Sequence, residues 1–143
     1  MYRQPREAAG HVPSLFLTLD EVLAIHAHQI ARYGGTSGLR DRGLLESALA
    51  TPAATLASEY LRPSLHEQAA ACLFHLVKSH PFVDGNKRVG LACCLAFLRL
   101  NGIRIVAGDD DLVDLVIGVA EGRRSKAGVA VFLRARTQPP SRR

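Results

Sequence analysis

The stretch His80-Pro81-Phe82-Val83-Asp84-Gly85-Asn86-Lys87-Arg88 sets an imidazole, a carboxylate, a turn glycine and two cations within nine positions. Lys87 and Arg88 open an apolar run with the composition of a buried helix. Cations at a helix N-terminus meet the positive end of the macrodipole, and the first N–H groups there need acceptors. Asp84 offsets part of this conflict. A bound anion offsets more, because it accepts from the N–H groups and neutralises both side chains. Such conflicts with local rules concentrate at functional sites. Gly85 permits a tight turn and close approach of an anion to the backbone. Gly85, Asn86, Lys87 and Arg88 are therefore a candidate phosphate cradle. On charge and turn chemistry alone, an ordinary loop whose basic residues point into water fits equally well.

His80 and Asp84 sharpen the first reading. Histidine titrates near neutral pH and accepts a proton from a hydroxyl. A carboxylate beside a phosphate site typically holds Mg²⁺. Base, metal ligand and anion cradle together are the parts needed for attack by a hydroxyl on phosphorus. The plainer alternatives are a helix C-cap contact for His80 and a turn residue for Asp84. Phe82, between them, reads as a core anchor.

The elements that must position these residues are helical. Thr18 and Glu21 form a capping box ahead of a helix that ends at Gly34-Gly35. Residues 34–43 hold four glycines and read as a loop. A helix from Leu44 to Ala50 follows. A second box, Ser64 with Glu67, opens a helix to Ser79, where Pro81 forbids continuation. Lys87 to Leu100 is apolar on most sides, as a central helix is, and Asn101-Gly102 closes it. Ile103 to Val106 reads as a short extended piece. Asp109-Asp110-Asp111 suits the start of a helix to about Glu121, and a last helix spans Val129 to Arg136. The expected class is all-α, a compact helical domain around one central buried helix.

Length and composition agree. A chain of 143 residues, 48% apolar and 22% charged, is one globular domain. We expect a loose arm over 1–13, the domain over 14–136 and a basic tail over 137–143. The net charge of +5 lies largely at the ends, in Arg3, Arg6, Arg134, Arg136, Arg142 and Arg143, and forms no stripe on a folded element. No direct nucleic-acid binding is expected. Cys72, Cys93 and Cys94 lie in apolar stretches without metal-site spacing and read as buried thiols. There is no apolar leader, and no run approaches the ~20 residues that span a bilayer. No membrane contact and a cytoplasmic location are expected.

The nine-residue segment resembles the Fic-domain motif, His-Pro-Phe-x-(Asp or Glu)-Gly-Asn-(Gly or Lys)-Arg, at all eight specified positions. Lys87 and its surroundings resemble the death-on-curing (Doc) branch, the toxin half of bacterial toxin–antitoxin pairs. Leu17-Thr18-Leu19-Asp20-Glu21, Tyr33-Gly34-Gly35, Gly38-Leu39-Arg40-Asp41 and Phe97-Leu98-Arg99-Leu100-Asn101-Gly102 agree with it, so the likeness covers about residues 14–136. It implies that His80 is the general base and that Asp84 holds Mg²⁺. Gly85, Asn86, Lys87 and Arg88 would form the anion hole. The glycine-rich loop would be a flap that positions the target, with Gly35, Gly38 and Arg40 as candidate contacts, although a solvated arginine is the plainer reading of Arg40.

Two departures from the adenylyl-transferring Fic enzymes bear on the reaction. They carry Gly where Lys87 stands, and Arg where Leu91 stands. The Doc likeness implies a reversed nucleotide and transfer of the γ-phosphate of ATP, or of another nucleoside triphosphate, to a Ser/Thr hydroxyl. The implied target is elongation factor Tu, with arrest of translation, and the implied inhibitor is a Phd-like antitoxin. Protein adenylyl (nucleotidyl) transfer and an inactive nucleotide- or partner-binding relative are the alternatives. The self-inhibitory Fic helix, Ser/Thr-x-x-x-Glu-Gly/Asn, finds no match: Tyr60 follows Glu59, and Ile117 stands four residues before Glu121.

Overall fold

A computed structural model describes residues 14–56 and 59–138. The expected arm at 1–13 lies outside these residues, as do 139–143 of the expected tail. The elements are α1 (Leu19–Tyr33), α2 (Arg42–Ala50), a 3₁₀ turn (Thr51–Ala53), β1 (Thr55–Leu56), β2 (Glu59–Tyr60), α3 (Leu65–Ser79), α4 (Asn86–Leu100), β3 (Arg104–Ile105), α5 (Asp109–Ala120), α6 (Lys126–Ala135) and β4 (Thr137–Gln138). β1 pairs antiparallel with β2, and β3 with β4. Thr137 and Gln138 therefore belong to the folded unit, two residues beyond the expected boundary.

Caps fix the helix ends. Thr18 Oγ1 accepts from the Glu21 N–H at 3.1 Å while Glu21 Oε1 accepts from the Thr18 N–H at 2.8 Å. Ser64 and Glu67 do the same ahead of α3, at 3.0 and 3.2 Å. Two helices start earlier than the apolar pattern suggests. Asp41 accepts from the Leu44 N–H at 2.9 Å, so α2 begins at Arg42 rather than Leu44. Ser125 accepts from the Gly128 N–H at 3.0 Å, so α6 begins at Lys126 rather than Val129.

The expected central helix is one member of a central pair. α3 is enclosed by α2, α4, α5 and α6, with Leu73, Leu76 and Val77 fully buried. α4 packs on it so closely that a Cβ at Gly90 would lie 2.7 Å from Val77 Cγ2 and 3.3 Å from the Leu73 carbonyl. Val89, Cys93, Phe97 and Leu98 of α4 are buried, but Leu91, Ala92, Leu95 and Ala96 are only half-buried. One apolar group joins α3 and α4 to α5 and α6 through Leu73, Phe97, Leu115 and Leu133. The other joins them to α1 and α2 through Val22, Leu45, Leu76 and Phe82. The three thiols are buried and free, and burial pushes that of Cys72 up to about 12. Among the described residues no helix is long and apolar enough to cross a membrane.

Candidate active site

The C-terminus of α3 and the N-terminus of α4 meet at the turn formed by residues 80–85. His80 closes α3 in the left-handed conformation, φ 53 and ψ 55, the only described non-glycine residue with positive φ. That conformation costs a side-chain-bearing residue roughly 1–2 kcal/mol. Pro81 disfavours the right-handed helical region for His80 and so ends α3 there, but its ordinary preference is extended, not left-handed. The His80 side chain is exposed. Its Nδ1 lies 3.4 Å from the Lys78 carbonyl. With the proton on Nδ1, Nε2 keeps a lone pair for an incoming hydroxyl.

Asn86 braces the turn from within. Its Oδ1 accepts from the Phe82 N–H and its Nδ2 donates to the Phe82 carbonyl, both at 3.0 Å. The amide side chain that the cradle reading set in the anion hole is thus engaged with the turn, and its own N–H belongs to the first turn of α4. Phe82 is buried and stacks on His26 with ring centroids 3.8 Å apart and planes 8° apart. His26 Nε2 donates to the Asp84 carbonyl at 2.8 Å. The motif contains no sign of His26. The available signal was the row Val22, His26, Ile30 on the inward side of α1, a histidine at a core spacing.

The Asp84 carboxylate accepts from the Thr36 N–H at 3.0 Å and from the Gly85 N–H at 2.8 Å. These two bonds hold its pKa below the usual carboxylate range, with help from the charges of Arg88 and His26. Asp84 is therefore an ionised oxygen donor at neutral pH. Among the described residues no three His, Cys, Asp or Glu side chains gather as a metal site. A lone ionised carboxylate beside a helix N-terminus without a side-chain cap fits Mg²⁺, which keeps waters and shares itself between one or two carboxylates and substrate phosphates. It does not fit a closed zinc site.

Gly85, at φ 77, precedes α4, and no side chain caps that helix end. The first intrahelical bond runs from the Val89 N–H to the Gly85 carbonyl at 2.9 Å. The N–H groups of Asn86, Lys87 and Arg88 thus form an uncapped positive helix end, with the Lys87 side chain exposed beside it. Arg88 turns toward the flap and donates from Nη1 to the Gly34 carbonyl at 2.9 Å. Arg88 and Leu91 also line a cleft of about 440 Å³ with Gln29, Tyr33, Leu95 and Val113.

The flap lies directly on the motif. Leu39 bridges Phe82 in antiparallel pairing, and the Val83 N–H donates to the Gly38 carbonyl at 3.0 Å. Gly35, at φ 116, comes so near that a Cβ there would lie 2.7 Å from Asp84 Oδ2. Gly38, at φ 127, also needs a residue free of Cβ strain. Arg40 is exposed, as the plainer reading has it, but its guanidinium is also engaged with the end of α3. Its guanidinium donates to the His80 carbonyl at 2.6 Å and to the Ser79 carbonyl at 3.0 Å. The structure brings Asp84, Gly85 and Arg88 together beside Gly35, leaves His80 and Lys87 exposed at either end of the same turn, and sets Gly38 against Val83 and Arg40 against the end of α3.

Residues 16–98 match the sequence profile of the Fic/DOC family. The chain is 37% identical to the protein kinase doc of Escherichia phage P1 over 115 residues, 80% of this chain and 90% of that one. It is 41% identical to the toxin Doc of Mycolicibacterium smegmatis over 92 residues, 64% of this chain and 70% of that protein.

Proposed function

This chain belongs to the Fic/Doc family, and from that premise we propose that it is the toxin of a toxin–antitoxin pair, a protein kinase that uses ATP. The observation that carries this reading is the uncapped N-terminus of α4, with Lys87 and Arg88 at its mouth and His80 and Asp84 at the same turn. In the proposed reaction a Ser/Thr hydroxyl oxygen of the target attacks the γ-phosphorus of ATP. His80 takes the hydroxyl proton, the bond to the β-phosphate oxygen breaks, and ADP leaves. The N–H groups of Asn86, Lys87 and Arg88 and the two cationic side chains bind the phosphates. Asp84 would hold Mg²⁺, which supplies charge neutralisation on the phosphates when bound.

The choice of phosphoryl over adenylyl transfer rests on positions 87 and 91. The Lys87 cation stands at the helix mouth, and apolar Leu91 lies in the cleft beside Arg88. Neither supplies the second arginine that holds an α-phosphate at the reaction centre in the adenylyl-transferring relatives. The names of the two relatives support the toxin and kinase readings. We propose elongation factor Tu as the target, in the cytoplasm, and a Phd-like antitoxin as the inhibitor in trans. The half-buried Leu91, Ala92 and Leu95 beside Arg88 suit an inhibitor segment with an apolar face and acidic residues.

The test is the mass gained by elongation factor Tu incubated with this chain, ATP and Mg²⁺. One phosphoryl group is expected. An adenylyl group selects nucleotidyl transfer instead, and no gain on any protein of a lysate selects an inactive binding relative.

A further inference from the structure

Three successive main-chain carbonyls at the end of α3 take their hydrogen bonds from two flap residues. Arg40 Nη2 donates to Ser79 O at 3.0 Å and Arg40 Nε to His80 O at 2.6 Å. The N–H groups of Arg40 and Asp41 both donate to Pro81 O, at 2.8 and 2.9 Å. A helix end ordinarily recovers its last carbonyls from the N–H groups of the residues just beyond it. Here that route is closed. Pro81 has no N–H, and the Phe82 N–H is engaged by Asn86 Oδ1 at 3.0 Å. His80 also holds a sparsely populated backbone conformation, which persists only where surrounding contacts fix it. A guanidinium at this end further complements the negative pole of α3.

We propose that Arg40 is a positioning residue for His80. Its planar fork spans two adjacent carbonyls and fixes the His80 backbone, and with it the direction of the imidazole. Seating of the flap and alignment of the base are then one event, because the same residue supplies both. A lysine cannot reproduce this, since a single ammonium lacks the fixed pair of N–H directions. The inference rests on the reading of His80 as the base.

The experiment compares wild type, Arg40→Met, Arg40→Lys and His80→Ala, each as the full chain with ATP, Mg²⁺ and elongation factor Tu. kcat and the two KM values are measured separately, and the His80 ¹³Cα shift is read by NMR. For Arg40→Met we expect kcat to fall about 10–100-fold, the scale of a misplaced catalytic group. KM for ATP should stay unchanged, because the cradle is on α4. The His80 ¹³Cα shift should move away from its left-handed value, and Arg40→Lys should recover part of both effects. A wild-type kcat in Arg40→Met, or an effect confined to KM for the target, overturns the proposal and makes Arg40 bystander or target contact. An unmoved His80 shift in Arg40→Lys and Arg40→Met overturns it as well. If wild type itself transfers no group, the functional reading falls first, and the NMR shift alone then decides whether the clamp exists.

Discussion

The imidazole of His26 donates to the main-chain oxygen of Asp84 at 2.8 Å while lying flat on the ring of Phe82. One buried side chain of α1 thus holds both the anchor of the turn and the backbone of its carboxylate. The fold links α1 to the motif through this contact across 58 residues of sequence.

His26→Phe separates the two roles. It keeps an aromatic ring against Phe82 but leaves the Asp84 carbonyl without its donor. We expect a loss of about 1 kcal/mol in urea unfolding, the usual scale for one hydrogen bond. Nucleotide affinity in Mg²⁺ should fall further than affinity in EDTA, because the carboxylate is re-aimed. Equal losses under both conditions would assign His26 to packing alone.

His80 offers a test that sets activity against stability. General-base catalysis contributes ~10²–10⁴-fold, so His80→Ala and His80→Gly should each remove transfer on that scale. The side chain is exposed, so neither variant opens a cavity. Glycine adopts positive φ without the Cβ penalty, so His80→Gly should unfold at higher urea than His80→Ala, by up to about 1 kcal/mol. Calorimetry or urea melts check this. A lower midpoint for the glycine variant would mean that the left-handed backbone at His80 is not strained.

Asp84→Asn tests the metal role. The amide keeps the side chain's size but removes the charge that two N–H groups and Arg88 hold ionised. Binding of ATP should weaken strongly in Mg²⁺ and little in EDTA, as titration calorimetry would read. The same loss in both buffers would reduce Asp84 to a turn residue and move the metal off this chain.

The sequence reveals what is local and hides what is not. The boxes at Thr18 with Glu21 and at Ser64 with Glu67 span three residues each and are legible. So is the motif, because base, carboxylate and cradle are contiguous. Asp41 and Ser125 are hard to read as caps because the first turns they open carry few apolar residues, so periodicity starts late. The β1 and β2 strands have two residues each, too short for alternation to show. The supports of the site were illegible for a different reason. His26 and Arg40 act on main-chain carbonyls, and no pattern of side-chain types marks which carbonyl lacks a donor. His26 could have been suspected as a histidine on a core row. The family likeness marks Arg40 as a flap residue, but its bond to the end of α3 follows from Pro81 and Asn86, which leave that end without free N–H groups.

The last prediction concerns pH and lies away from the motif. Lys126 Nζ donates to His75 Nε2 at 2.9 Å, which requires a neutral imidazole. Burial first, then the charges of Lys126 and Arg62, push the His75 pKa down from 6.5 to about 4. His66 is pushed the same way by burial and by Arg134. The unfolded chain therefore takes up protons at these residues before the folded chain does. Stability is fully present above about 6.5, falls as pH drops through the window from 6.5 to about 4, and stops changing from this source below it. His75 is partly exposed, so solvent screening reduces the size of the effect but not its sign. His75→Asn keeps an acceptor for Lys126 and cannot titrate. The stability difference between wild type and this variant, measured by urea melts at several pH values, should shift in favour of the variant as pH falls through the window. A difference that stays constant across it would show that His75 titrates alike in both states, and that the Lys126 contact does not persist in solution.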